Sequence, residues 1–369
     1  MKVDEMVLRH FRNYQEARID FSPAINLLIG ENAQGKTNIL EAIYIAALGA
    51  SHRSSDDGDL VAWQQQAAAV ELKFTSRDIE GLLQINLYTN RRKQLRLNGQ
   101  PAKLRDIMGT LNVVLFSPED LWLIKGAPAV RRRFLDNEIS QANASYYQKL
   151  LRYQHSLLQR NNLLKAIRER RAAADQLEVW DEQLALLAAA VTVKRLEAVK
   201  KLTMLANLMH RKITNGREGL SLAYLIQQLE EENFPYDVNW FGKWYREKLT
   251  EGRAQDIARG STSIGPHRDD LQMAVNGRNL RLYGSQGQQR TGALALKLAE
   301  LEFIKSETGE YPILLLDDVM SELDSSRREH LLAFIKNKIQ TFITATDATY
   351  FPAVFPVRKF LVKQGTIKG

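Results

Sequence analysis

Hydrophobic positions keep one rhythm toward both ends of the chain and another in its middle. Val70 to Phe74, Leu82 to Tyr88 and Leu95 to Leu97 alternate apolar with polar residues, the period-two pattern of half-buried strands. Asn98-Gly99, and later Asn276-Gly277, are pairs that close tight hairpins. Ile25-Asn26-Leu27-Leu28-Ile29 is a short apolar strand leading directly into a glycine-rich turn. A helix beginning near Lys36 then carries Ile39, Leu40, Ile43, Tyr44 and Ala47 on one face.

From about Arg131 to Arg217 the period lengthens. Leu177, Leu184, Val191, Ala198 and Leu205 recur every seven residues, and Trp180, Leu187, Leu202 and Met209 thicken the stripe. With Asp175 as N-cap and Gly216 as stop, this predicts a helix of about 37 residues, about 55 Å long at the usual rise. Tyr146, Leu150, Leu157 and Leu164 predict a second long helix, broken by Ala172-Ala173-Ala174, and the pair reads as an antiparallel helical arm. After about residue 255 strands return at Leu271 to Val275, Leu280 to Leu282, Ile313 to Leu316, Thr341 to Thr344 and Phe360 to Val362. Helices at about 286–305 and 325–338 lie between them. Such alternation favours a mixed, largely parallel α/β sheet. The expected division is therefore a head from residues 1–125 and 255–369, interrupted by a helical insertion at 126–254.

Composition narrows the class. The 369 residues include no cysteine, which excludes disulfides, thiolate zinc sites and a cysteine nucleophile. The longest apolar runs are too short to span a bilayer and the N-terminus has no apolar signal region, so a cytoplasmic protein with no membrane partner is expected. Net charge is +8, which suits a polyanion but does not require one. Residues 126–254 hold 21 Lys and Arg against 15 Asp and Glu, so the excess is concentrated there.

Gly30-Glu31-Asn32-Ala33-Gln34-Gly35-Lys36-Thr37 fits G-x-x-x-x-G-K-[ST] without departure. Its backbone N–H groups close around phosphates, Lys36 reaches the β and γ oxygens, and the Thr37 hydroxyl ligates Mg²⁺. The expected cofactors are thus ATP and Mg²⁺. Ile313 to Leu316 ends in Asp317-Asp318, at the carboxyl end of a buried strand where ligands bind. Asp317 is the candidate Mg²⁺ carboxylate, and Asp318 would orient or deprotonate the attacking water. Ser285-Gln286-Gly287-Gln288-Gln289 opens a helix, and Ser321-Glu322-Leu323-Asp324 follows the two aspartates. Each of these stretches taken alone also reads as an ordinary helix cap or turn.

In order and spacing, these segments resemble an ABC-type ATPase head split by a helical insertion, as in SMC-like proteins, and resemble the RecF family more closely. Phe11-Arg12-Asn13-Tyr14, Ser51-His52-Arg53, Leu115 to Leu121, Pro128 with Arg131 to Asp136, and Gly265-Pro266-His267-Arg268-Asp269-Asp270 carry that resemblance from end to end. It implies that Arg12 and Asn38 join the ATP site. It also implies that Ser285 to Gln289 cap the nucleotide of a second protomer in an ATP-dependent homodimer. The implied role is recombinational repair and replication restart on duplex DNA at single-strand/double-strand junctions, with mediator partners such as RecR. Departures from ABC heads are Asp318 for the usual Glu, Thr346 at the switch histidine, Ser117 to Asp120 for a glutamine, and Gln286 within the signature. Each removes or shortens a group that handles water, so the resemblance implies weak ATPase activity.

DNA contacts are expected at Arg131, Arg132, Lys149, Arg152 and Arg160. Lys149 to Arg171 holds seven basic residues against one acidic. For Arg131 to Arg133 a solvated helix start remains open, as does a structural role for His52 and His267. Two alternatives stand beside this reading: an SMC-like chromosome-organising ATPase, lacking the long hinge-bearing coiled coil, and a P-loop enzyme of another class.

Overall fold

The computed structural model describes residues 1–229, 233–347 and 357–369. It opens with β1 (Lys2–Phe11), β2 (Tyr14–Asp20), β3 (Ile25–Ile29), α1 (Lys36–Leu48), β4 (Ala67–Ser76) and β5 (Ile79–Tyr88). Next come β6 (Gln94–Leu97), β7 (Gln100–Ala102), α2 (Leu104–Ile107), β8 (Val113–Phe116) and α3 (Trp122–Lys125). The middle holds α4 (Pro128–Ala142), α5 (Ala144–Arg168), α6 (Leu177–Ile213), β9 (Leu220–Leu225), α7 (Val238–Glu251) and α8 (Arg253–Arg259). Then follow β10 (Asp270–Val275), β11 (Arg278–Asn279), α9 (Leu280–Tyr283), α10 (Gln286–Thr308) and β12 (Ile313–Leu316). The chain finishes with α11 (Val319–Glu322), α12 (Ser325–Ile335), β13 (Thr341–Ala345), β14 (Val357–Lys363) and β15 (Thr366–Lys368).

Two compact units divide the chain, residues 1–120 with 300–369, and residues 121–299. In the first, a six-stranded sheet runs β15-β14-β3-β13-β12-β8, parallel except for β15. Every residue of β12 and β13 is buried, as continuous apolar runs require when both sheet faces are covered. A second, antiparallel sheet of this unit runs β2-β1-β4-β5-β6-β7. Its β6–β7 turn is Asn98-Gly99, both at positive φ, as the pair predicts.

The second unit is built on α6, whose 37 residues match the predicted length. Its N-cap is Gln176, with Asp175 in the preceding 3₁₀ turn. Burial is broader than a heptad seam: Ala185, Ala188, Ala189, Val193 and Leu196 are as buried as the heptad positions. The reason is that α6 packs against α4, α5, α7 and β9 together.

Two expectations change. Antiparallel pairing of β10 with β9 ties residues beyond 254 to the insertion, so the second unit extends to residue 299. Leu280 to Leu282 is helix α9, not strand, because the Asn279 side chain accepts from the N–H groups of Arg281 and Leu282 and turns the chain.

Candidate nucleotide-binding site

The phosphate loop joins β3 to α1, and neighbouring backbone sets its shape. Gly35 has φ 114°, and a Cβ there would lie 2.7 Å from Asn13 Nδ2 and 3.0 Å from the Tyr14 hydroxyl. A Cβ on Gly30 would meet the Val362 carbonyl oxygen at 2.3 Å. Both positions therefore exclude side chains. Lys36 is 4% exposed, and its Nζ donates to the carbonyls of Gly30 (2.7 Å) and Glu31 (2.8 Å), which fixes the ammonium across the loop. From behind, the Gln34 carbonyl accepts from Asn13 Nδ2 and Gly365 N, while Gln34 Oε1 accepts from Gln364 N at 2.7 Å. The β14–β15 turn is thus a brace on the loop, one that no sequence motif marks. Glu31, Asn32 and Ala33 remain exposed.

Parallel pairing brings the second motif to the first. β12 and β3 flank β13, and Thr37 Oγ1 donates to Asp317 Oδ1 at 2.8 Å across 280 residues of sequence. Thr344 Oγ1 donates to the same oxygen at 2.8 Å and accepts from the Asp318 N–H at 2.8 Å. Burial raises the Asp317 carboxyl above the usual range, the neighbouring Asp318 adds to this, and the two hydroxyls oppose it. A carboxylate so placed is relieved by a cation. Asp318 sits at φ 53°, a strained conformation for a non-glycine residue that turns the chain out of β12. Ser117, after the adjacent β8, donates its N–H to Asp120 Oδ2.

A hydroxyl and a buried carboxylate oxygen in contact, with a second carboxylate beside them, form an all-oxygen donor set that suits Mg²⁺. Among the described residues no cluster of three or more His, Cys, Asp or Glu could hold a metal. A Mg²⁺ site that relies on one or two protein oxygens, with phosphates and water completing it, fits that arrangement.

One side of the loop is lined by a buried acid. Glu41 is fully buried, and Arg12 grips it with Nε (2.9 Å) and Nη2 (2.8 Å) while Nη1 donates to the Asp59 carbonyl. Ser51 and Arg53 complete the group. Burial pushes the Glu41 carboxyl up, but these hydrogen bonds and the two guanidinium charges outweigh it and hold it below the ordinary range. Arg53 Nη1 donates onward to Asn38 Oδ1 (3.1 Å) in the first turn of α1. His52 lies beneath, its ring edge-on to Tyr44; burial first, then Arg53 and Arg12, push it down to about 4 against the pull of Glu41. Arg12 thus acts here as a brace for Glu41, and Arg53, part of Ser51-His52-Arg53 but not expected at the site from sequence, is the more exposed cation.

In the second unit, Ser285 and Gln288 cap α10 reciprocally. Gln288 Oε1 accepts from Ser285 N (2.9 Å), and Ser285 Oγ accepts from Gln288 N (3.2 Å). Ser285, Gln286 and Gly287 are exposed, and Gln288 also donates to Glu218. Gln289 is a correction to the expected signature: it is buried and donates to the Leu280 carbonyl, so it supports the loop from within.

Of the basic residues expected on DNA, Lys149 and Arg152 are exposed on α5. Arg160 is not. It is fully buried, bonded to Asp181 (2.7 Å), Asp256 (2.7 Å) and the Thr262 hydroxyl (2.9 Å). Arg131 is likewise buried, gripping Asp270 through two nitrogens, and half-buried Arg132 donates to the Asp269 carbonyl. A guanidinium committed to a buried carboxylate does not reach a phosphate. His267 Nε2 donates to the Thr262 carbonyl and Nδ1 pairs with the Tyr153 hydroxyl, a hydrogen-bonded structural histidine.

The chain matches the family described as RecF/RecN/SMC N terminal domain over residues 2–367. A protein of Halothermothrix orenii named DNA replication and repair protein RecF is 47% identical, over 94% of this chain and 92% of its own length. The same-named protein of Enterococcus faecalis is 43% identical over 100% and 99%. Among solved structures, the recombination mediator protein RecF-ATP in the RecFOR pathway superposes with TM-score 0.92 at 36% identity, covering 99% of this chain and 96% of that one. An Smc head domain from Pyrococcus furiosus, 18% identical with TM-score 0.57 and coverage of 99% and 95%, shares the fold.

Proposed function

This chain belongs to the RecF family of SMC-like, ABC-type ATPases, and on that premise we propose that it is an ATP-dependent DNA-binding protein of replication and recombinational repair. The observation that carries the proposal is the Thr37–Asp317 contact beside a Lys36 fixed across the phosphate loop. Residues Gly30 to Asn38 would cradle the triphosphate, with Lys36 on the β and γ oxygens. Thr37 and Asp317 would hold Mg²⁺, which offsets charge on those oxygens. Asp318, whose backbone N–H is tied to Thr344, would orient the attacking water. Thr346, exposed after β13, offers no imidazole to assist it, and this supports slow turnover.

Exposed Ser285, Gln286 and Gly287 would contact the nucleotide of a second protomer, giving an ATP-dependent homodimer. Lys149 and Arg152 would contact duplex DNA near single-strand gaps and junctions, and a mediator such as RecR would join there. Cytoplasmic location accords with helices none of which, among the described residues, is long and apolar enough to cross a membrane. Size-exclusion chromatography with light scattering, with and without ATP and duplex DNA, tests the reading. Wild type should dimerise with ATP, and Ser285→Arg should bind ATP yet stay monomeric. Equal dimer formation by both would refute the shared site.

A further inference from the structure

We propose that a basic groove at the β6–β7 edge of the antiparallel sheet in the first unit holds the sugar–phosphate backbone of DNA. The inference rests on the DNA-binding reading above and places the contact on a surface that reading does not use. The groove is an open hollow of about 800 Å³, lined by Arg92, Lys93, Arg96 and Lys103 together with Leu95 and Leu104. Residues 91–105 contain six Lys and Arg and no acidic residue, a density that exceeds the basic stretch of α5.

The cations are not equivalent. Lys93 is tied to Asp57 at 2.9 and 3.0 Å, which anchors the β5–β6 loop as one wall. Arg92, Arg96 and Lys103 are exposed and form no ion pair with a carboxylate among the described residues. Three such cations around one hollow repel one another, and a polyanion relieves that repulsion by releasing its own counterions. Edge strands do carry Lys and Pro as a guard against pairing with other sheets, and Pro101 serves that purpose here. A guard needs only charge pointing outward; it does not need cations gathered around one hollow.

Aromatic faces at the same end of the sheet favour nucleic acid over an acidic protein. The Arg91 guanidinium lies 3.7 Å from the Tyr88 ring centroid. The turn before β4, hydrogen-bonded to the β5–β6 loop from Thr89 N to the Gln66 carbonyl, carries Trp63 at 93% exposure. An indole so exposed offers a stacking face for a base.

The test is fluorescence anisotropy of labelled duplex and gapped DNA with the full chain and ATP across a salt series. Arg92→Gln/Arg96→Gln/Lys103→Gln should weaken binding and reduce the log–log salt slope by about 2.7, or about 0.9 per lost contact on duplex. ATP affinity, read by calorimetry on the same protein, should be unchanged, which excludes misfolding as the cause. Wild-type affinity and slope in this variant would overturn the groove. So would loss of the whole slope in Lys149→Gln/Arg152→Gln alone. Unchanged DNA binding with lost binding of a polyglutamate probe would assign the groove to an acidic protein and overturn it as well. Failure of the wild-type chain to bind DNA at any salt would instead remove the DNA-binding reading, and the groove with it.

Discussion

Two arginine–carboxylate clusters in this molecule use the same chemistry and differ in what lies beside them. Around Glu41, Arg12 and Arg53 surround a fully buried acid, but Arg53 has a side chain 44% exposed and reaches Asn38 at the mouth of the phosphate loop. Around Arg160, Asp181 and Asp256 surround a fully buried base, with Arg253 closing the far side of Asp181. The first cluster is open on one side and ends on a ligand loop. In the second the arginine and both carboxylates are buried, and it fastens α5 to α6 and α8 within its unit. Arginine in a basic stretch therefore carries two opposite meanings, and solvent exposure, which no linear motif encodes, separates them.

The sharpest way to break this contrast is Arg160→Met. Removing the base leaves Asp181 and Asp256 buried and short of a partner, so urea unfolding should lose about 3–5 kcal/mol while ATP affinity of the folded fraction holds. Unchanged stability accompanied by weakened DNA binding would reverse the assignment of the buried cluster. Lys36→Ala should do the converse. Loss of a charge-assisted contact, about 1.5–3 kcal/mol, should weaken ATP binding by roughly 10- to 150-fold in calorimetry, with little change in the urea midpoint. Retained ATP affinity would remove the phosphate-loop reading.

Acid should separate the open cluster further. His52 is pushed from 6.5 down to about 4 in the fold. Its contribution is complete above pH 6.5 and is lost as pH falls toward 4, because the unfolded chain takes up the proton first. His52→Asn should therefore flatten the stability profile over that window, narrowing the loss by about 1–3 kcal/mol at its acid end. An identical profile in the variant would show that His52 does not contribute to the pH dependence of stability. The smallest effect expected is at the brace. A Cβ on Gly365, at φ 72°, would fall 2.1 Å from the Asn13 carbonyl oxygen. Gly365→Ala should displace the turn from Gln34 and weaken ATP binding by a few-fold, about 1 kcal/mol.

The sequence made some parts legible and hid others for physical reasons. The phosphate loop, Asp317-Asp318 and the 37-residue helix are set by local spacing, and the structure has them where the spacing puts them. Asn98-Gly99 is equally local. Arg131, Arg160 and Gln289 were misplaced because their burial depends on Asp270, Asp181, Asp256 and Leu280, whose proximity only the tertiary fold creates. Leu280 to Leu282 reads as strand by composition, yet one side-chain cap from Asn279 decides otherwise. The groove has no helical signature in the sequence, since its cations lie on β6, in the loop before it and just after β7, where spacing shows no helical face. The β14–β15 brace has no signal at all, since it acts through backbone N–H groups.

That brace also dictates when during synthesis the site can exist. Among the described residues β3 pairs with β13 and β14, so the strand that carries the phosphate loop has no neighbour in its sheet until β13 has been made and is flanked on both sides only after β14. Gln34 must wait 330 residues for the Gln364 N–H that holds it. At a translation rate of 5–20 residues per second, that wait is roughly 15 to 65 s. During it, an apolar strand and an unformed phosphate loop emerge long before their partners, while the second unit, whose residues are contiguous, can fold first. A ribosome-bound chain halted before β14 should therefore carry a folded insertion and no nucleotide site, so that nucleotide capture marks completion of the head.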